Sequence, residues 1–173
     1  MTDWSAEKEK EWIEAAKRDR REFARLYDAY ADRVYRYLLR RTAHVQRAED
    51  LTQETFLKAL AALRHYEWRG VPFGAWLFRI ARNTMLSAAS DGQPTVELDE
   101  TVEPSVNLPL QKIETELVWQ KTKNLTDEQQ EALTLRYRAD LPIAEIALAM
   151  DKSEAAVKML LQRAVNALKG QLN

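Results

Sequence analysis

The sequence predicts an all-α protein: two small helical domains joined by a flexible acidic linker, the second containing a helix-turn-helix. Three observations carry this. Apolar residues recur at spacings of three and four through most of the chain, the repeat of helices with one buried face. Only four Gly and five Pro punctuate 173 residues, too few for a protein of many short strands and turns. Residues 90–109, SDGQPTVELDETVEPSVNLP, hold three Pro and five acids with no sustained period, too long and polar for a loop inside a compact domain. The expected organisation is an N-terminal extension over 1–20, a first domain over 21–90, the linker over 91–109 and a second domain over 110–173.

The first helix is expected from Ser5 to Arg20, densely charged, with Trp4, Trp12 and Ile13 as its few apolar points. Ser5 is its candidate cap, with Lys8 where a capping box would place an acid. Over Arg21–Arg41, Phe23, Leu26, Tyr27, Tyr30, Val34, Tyr37 and Leu38 mark one face, and Arg25, Arg33, Arg36 and Arg40 the opposite one. The third helix, Gln46–Leu63, places Leu51, Phe56, Leu60 and Leu63 inside. Glu49 and Asp50 are expected at its start, where acids complement the helix dipole. After the Gly70, Pro72 and Gly74 breaks, a fourth helix runs Phe73–Ala89 with Trp76, Leu77, Ile80 and Leu86 as core positions.

Beyond the linker, Leu110–Lys123 reads as helix and Asn124-Leu125-Thr126 as a break. Thr126 and Gln129 form a capping box for Asp127–Tyr137. Pro142 suits the first turn of a short helix ending near Met150. Ser153 caps a last helix to about Leu168, with Gly170 as its terminator.

Composition excludes several chemistries. The absence of Cys removes disulfides, thiolate metal sites and Cys nucleophiles, and two His do not make a His-rich metal site. No Gly-rich phosphate loop or nucleophile elbow is present. No apolar run reaches membrane-span length and no signal-peptide core opens the chain, so a cytoplasmic protein without membrane insertion is expected. The net charge of −1 hides an asymmetry. Residues 1–90 carry +4, residues 91–116 carry −6 and residues 117–173 carry +1, so an acidic connector separates two mildly basic segments.

Three constellations point toward function. Pro142–Met150 and Ser153–Leu168, joined by a tight polar turn, have helix-turn-helix spacing, with Ala147 at the close approach and Ile143, Ile146, Val157 and Leu161 as apolar contacts. In such a unit the second helix enters the major groove, here presenting Ser153, Glu154, Ala155 and Lys158, then Gln162 and Arg163. The same pattern also suits two packed helices of a bundle. On the third helix, Asp50, Gln53, Glu54 and Lys58 surround Leu51 and Phe56, either a solvated face or a docking one. Tyr66, Trp68, Phe73 and Trp76 fall within eleven residues, interleaved with Arg64, Arg69, Arg79 and Arg82. Aromatics that stack bases beside cations that reach phosphates suit single-stranded nucleic acid. The alternative is an aromatic core rimmed by arginine: Phe73 and Trp76 fit the core, and Tyr66 and Trp68 fit either reading.

The order of motifs resembles a known family. FARLYDAYADRVYRYLLRR, AEDLTQETFLKAL and FGAWLFRIARN, then LTDEQQEALTLRYRADLPIAEIALAM and KSEAAVKMLLQRAVNALK, resemble the extracytoplasmic-function (ECF) sigma factors of bacterial RNA polymerase, over nearly all of residues 22–90 and 115–169. The resemblance implies a specificity subunit for transcription initiation, with no catalytic residues, cofactor or metal. Its partners would be core polymerase (clamp helices and flap), promoter DNA both duplex and single-stranded, and an anti-sigma protein. Asp50, Leu51, Gln53, Glu54 and Phe56 match the polymerase-binding helix. Tyr66, Trp68, Arg69, Arg79, Arg82 and Asn83 match the part that captures the unpaired minus-ten strand. Arg138, Ser153, Glu154, Lys158, Gln162 and Arg163 match the surface that binds the minus-thirty-five duplex. The acidic linker fits a segment threaded toward the polymerase active-site channel.

The chain also departs from the family pattern. Leu160 and Val165 stand where basic residues are common, and Asp151 where a turn glycine is usual. Each missing phosphate contact weakens duplex binding and flattens its salt dependence, while Leu160 and Leu161 enlarge an apolar surface that could serve a protein partner. Two other readings therefore stay open: a sigma-like adaptor or decoy that reads DNA poorly, and a helix-turn-helix regulator acting without core docking.

Overall fold

A computed structural model of the chain describes residues 5–69, 71–90 and 119–172. Seven helices are described: α1 (Ala6–Arg18), α2 (Phe23–Thr42), α3 (Val45–Ala62), α4 (Phe73–Ser90), α5 (Asp127–Tyr137), α6 (Ile143–Met150) and α7 (Glu154–Leu172). Short 3-10 turns lie at Arg20–Glu22, Leu63–His65 and Thr122–Asn124, and no strand occurs among the described residues. The linker lies outside the described residues. Of the helix expected over 110–123, Trp119–Lys121 are described and helical.

Local chemistry sets the helix ends. The Ser5 hydroxyl accepts the Lys8 N–H at 3.2 Å. Thr126 and Gln129 close the expected capping box, each side chain accepting the other's backbone N–H at 3.3 and 3.2 Å. Ser153 Oγ accepts the Ala156 N–H at 3.1 Å. Asp151, at φ 56°, ends α6 in the left-handed region, a conformation that short polar side chains such as Asp tolerate better than most.

Three expected boundaries are corrected. The cap of α3 is His44, whose Nδ1 accepts the Arg47 N–H at 3.2 Å. The left-handed turn at Ala43 (φ 52°) delivers His44 to that position, so Glu49 and Asp50 lie in the second turn. Pro142 stands just before α6 in extended backbone rather than within its first turn. Helix α7 continues through Gly170 to Leu172, because a lone glycine costs a helix only about 1 kcal/mol.

Helices α2, α3 and α4 pack around Leu26, Val34, Leu38, Leu51, Phe73, Leu77 and Phe78, and α1 adds Ile13 and Ala16. Leu86, expected in this core, is exposed. The buried stripe of α4 runs through Leu77, Phe78, Ala81, Thr84 and Met85, and residue 86 falls to its side. Helices α5, α6 and α7 form the second unit, which docks on the first. Leu135, Leu141, Ile146, Met150 and Val157 belong to the same apolar cluster as the α2–α4 core. Trp119, Leu125, Leu133, Ala164 and Leu168 form a smaller cluster of their own. Helix α6 approaches α4 closely at Gly74: a Cβ there would stand 3.0 Å from Glu145 Oε2 and 3.1 Å from the Tyr30 hydroxyl.

Candidate nucleic-acid and polymerase interfaces

On α3 the expected docking residues separate by helical phase. Leu51 and Phe56 are buried, and the Phe56 ring packs 4.7 Å from Tyr27 and 6.3 Å from Phe23. These two anchor α3 against α2. Asp50, Gln53 and Glu54 are exposed, with Glu54 paired to Lys58 at 2.7 Å. Leu57, not singled out from the sequence, is 68% exposed. It lies seven, four and three residues after Asp50, Gln53 and Glu54, so the four share one face. That spacing was the available signal, masked by the leucines that point inward.

The aromatic segment also divides. Tyr66 is a core residue: its ring lies 4.8 Å from Trp76 and edge-on to Phe73, and its hydroxyl donates to the Val71 carbonyl at 2.7 Å. Burial pushes its phenol pKa well up. Trp68 is half-buried and borders a cavity of about 300 Å3 lined also by Glu9, Tyr30, Arg33 and Glu145. Arg69 is exposed and pairs with Glu67 at 2.5 Å, and Asn83 is exposed on α4. Arg79 and Arg82 both reach the C-terminal unit. Arg79 pairs with Asp151 at 3.2 Å, and Arg82 lies 3.2 Å from Glu131.

The seam that holds these cations has no counterpart among the sequence-derived sites. The Tyr37 hydroxyl donates to Glu131 Oε1 at 2.6 Å, and Arg41 lies 4.0 Å from Glu131 Oε2. Arg33 donates to the Ala139 and Asp140 carbonyls at 2.7 and 3.3 Å. Arg40 donates to the Trp119 carbonyl and to Thr122 Oγ1, and its guanidinium lies over the Trp119 ring. Glu9 of α1 accepts the Tyr30 hydroxyl. Burial raises the pKa of both Glu9 and Glu145, with Arg33 opposing the rise in each. Nothing local in the sequence marks the contacts between the two halves, because those partners lie dozens of positions apart, up to 107 for Arg33 and Asp140.

On the C-terminal unit, Glu154, Lys158, Gln162 and Arg163 are exposed along α7, with Ser153 at its cap. Arg138 is half-buried, its guanidinium 4.8 Å from the Trp119 ring centre. Leu160 and Leu161, expected to enlarge an apolar surface, are half-buried against the two cores, while Met159 is 50% exposed. Among the described residues no cluster of His, Asp or Glu is placed to hold a metal. No described helix is long and apolar enough to cross a membrane.

Comparison with known proteins identifies the family of the chain. Residues 26–94 match the family model of Sigma-70 region 2, and residues 116–168 that of Sigma-70 region 4. The chain is 37% identical to the ECF RNA polymerase sigma factor BldN of Streptomyces coelicolor over 154 residues, covering 84% of this chain and 58% of BldN. It is 33% identical to the ECF RNA polymerase sigma factor SigM of Bacillus subtilis over 154 residues, covering 86% of this chain and 93% of SigM. The solved structure of CnrH, in complex with the cytosolic domain of CnrY, shares the fold. Its TM-score is 0.72 over 93% of this chain and 94% of CnrH, at 22% identity.

Proposed function

Because the chain belongs to the ECF sigma factors of RNA polymerase, we propose that it binds core polymerase in the cytoplasm and directs promoter recognition, opening and transcription initiation, without catalytic residues or a cofactor of its own. The observation that carries the docking half is the α3 face of Asp50, Gln53, Glu54 and Leu57. Three polar groups and one bare leucine stand on a helix held rigid by Leu51 and Phe56. A protein interface needs an apolar anchor with a polar rim, and the clamp helices of core are the partner assigned to it.

In this reading α4, with Arg79, Arg82 and Asn83, captures the unpaired minus-ten strand, and Trp68 and Arg69 contribute from the preceding loop. Unstacking costs a few kcal/mol per step and stacking on an aromatic returns about 1–3 kcal/mol per base. One half-buried Trp does not hold a melted strand alone, so core supplies the rest of the surface. Exposed Lys158, Gln162 and Arg163 read the minus-thirty-five duplex, with Ser153 and Glu154 near the base edges, and Arg138, over the Trp119 ring, contributes to the same duplex-binding surface. An anti-sigma protein is the proposed controlling partner, as CnrY is the recorded partner of CnrH.

The test is in vitro transcription with core polymerase, this protein and a pooled genomic template. Discrete starts that share two upstream elements are expected. Co-purification with core without any starts would instead favour the adaptor reading, which the occupation of Arg79 and Arg82 by Asp151 and Glu131 supports.

A further inference from the structure

One hydroxyl and two guanidinium groups from the N-terminal half converge on one carboxylate of the C-terminal half. Glu131, 3% exposed, takes the Tyr37 hydroxyl on Oε1, while Oε2 faces Arg82 at 3.2 Å and Arg41 at 4.0 Å. The guanidinium side chains are 13% exposed for Arg41 and 25% for Arg82. Two positive charges thus face one negative charge in a largely desolvated place, where an unpaired cation is costly. Without α5, the same three groups form an open receptor for a monoanion that presents two oxygens. A carboxylate fits that description, and so does a phosphodiester, the other partner that guanidinium forks match. The remaining acids of the seam follow α4 in the same way: Asp151 pairs with Arg79, and Glu145 lies against Gly74.

We infer that Tyr37, Arg41 and Arg82 form a phosphate-binding site for the promoter strand, which Glu131 occupies in this closed arrangement as a mask carried by the chain itself. Docking of α5 and capture of the strand are then mutually exclusive. The inference rests on the reading of α4 as the strand-capturing helix and adds to it two residues of α2 and the group that competes for them. Apparent affinity for DNA is lowered by the fraction of molecules that are closed. Any partner that pulls α5 away raises it.

The absence of Cys allows dyes to be placed at will. Ala61→Cys and Asn166→Cys, both at exposed positions, report the separation of the two halves by energy transfer in the full chain. The DNA probe is a short single strand of randomised sequence, fluorescein-labelled for anisotropy and unlabelled for energy transfer. At low salt, adding the strand to the otherwise wild-type chain is expected to lower transfer. Binding that leaves transfer unchanged overturns mutual exclusion, with no substitution in the seam needed. Glu131→Gln keeps the shape and an acceptor for Tyr37 but removes the charge. It is expected to lower transfer and tighten strand binding about tenfold, and Arg41→Ala with Arg82→Ala is expected to erase that gain. Lowered transfer without tighter binding overturns the phosphate site, and unchanged transfer overturns the mask. Transcription with wild-type chain and core tests the family reading separately. Starts without strand competition sink only this inference, whereas competition without starts upholds it and sinks the sigma reading.

Discussion

The Tyr37 hydroxyl donates to Glu131 Oε1 at 2.6 Å, a buried hydrogen bond between residues 94 positions apart. Tyr37 is held by the α2–α4 core, its ring meeting Phe78 edge-on at 5.7 Å. Glu131 is held by α5. Burial, reinforced by the charge of Glu131, pushes the Tyr37 phenol far above its ordinary pKa, so it stays a neutral donor. This contact is one of several that tie the two halves of the chain, and Arg41 and Arg82 stand beside it.

Tyr37→Phe leaves the ring in place and removes only the donor. The Glu131 carboxylate then loses a buried partner, and a loss of about 1–3 kcal/mol in stability is expected. Urea unfolding followed by far-UV circular dichroism reads it. An unchanged midpoint would show that apolar packing alone holds the halves together.

Asp50→Arg combined with Glu54→Arg should abolish association with core polymerase while helicity is retained, since both side chains are exposed. Leu57→Asp should weaken association comparably, and Lys58→Ala much less. Pull-down with purified core measures all three. Association that survives the double reversal would take α3 out of the docking interface.

Glu9 and Glu145 carry pKa values raised chiefly by burial. A carboxyl with a raised folded pKa binds its proton more tightly in the folded state, so its ionisation opposes folding. These two groups therefore lower stability as pH rises above the ordinary glutamate value of 4.5 toward their folded values. Glu9→Gln with Glu145→Gln should flatten that part of the profile. Thermal unfolding between mildly acidic and neutral pH checks it, and an identical slope in the variant would refute the assignment.

Lys158→Ala with Arg163→Ala removes two exposed cations from α7. If both meet phosphates of the minus-thirty-five duplex, the salt slope of promoter-complex formation falls by about two. A series of salt titrations decides it. No change in slope would place duplex binding elsewhere or support the adaptor reading.

Trp68→Ala should impair promoter opening more than initial duplex binding, because only an unpaired base offers a face for stacking. Permanganate footprinting against gel-shift binding separates the two steps. Equal loss in both would make Trp68 a structural residue of the cavity it borders.

Alternative fates of one residue type on one helix show where sequence reasoning ends. Periodicity places Arg25, Arg33, Arg36 and Arg40 together on the face of α2 opposite its apolar stripe. Arg25 and Arg36 are indeed exposed, paired locally with Glu22 and Asp32 at 3.2 and 2.9 Å. Arg33 and Arg40 are instead covered by the C-terminal half.

The sequence by itself determined whatever depends on neighbours within a turn or two: helix identity and phase, the Ser5, Thr126 and Ser153 caps, the apolar stripes of α2 and α3, and the order of motifs that marks the family. These follow from backbone hydrogen bonding and from the 3.6-residue repeat, which near neighbours settle. Only the tertiary structure decided that Tyr66 belongs to the core and that Glu131 and Asp151 meet Arg82 and Arg79. Those outcomes depend on which surfaces exclude water together. For the two ion pairs that is a property of residues dozens of positions apart, 72 for Arg79 and Asp151, and no local pattern of charge or hydropathy encodes it.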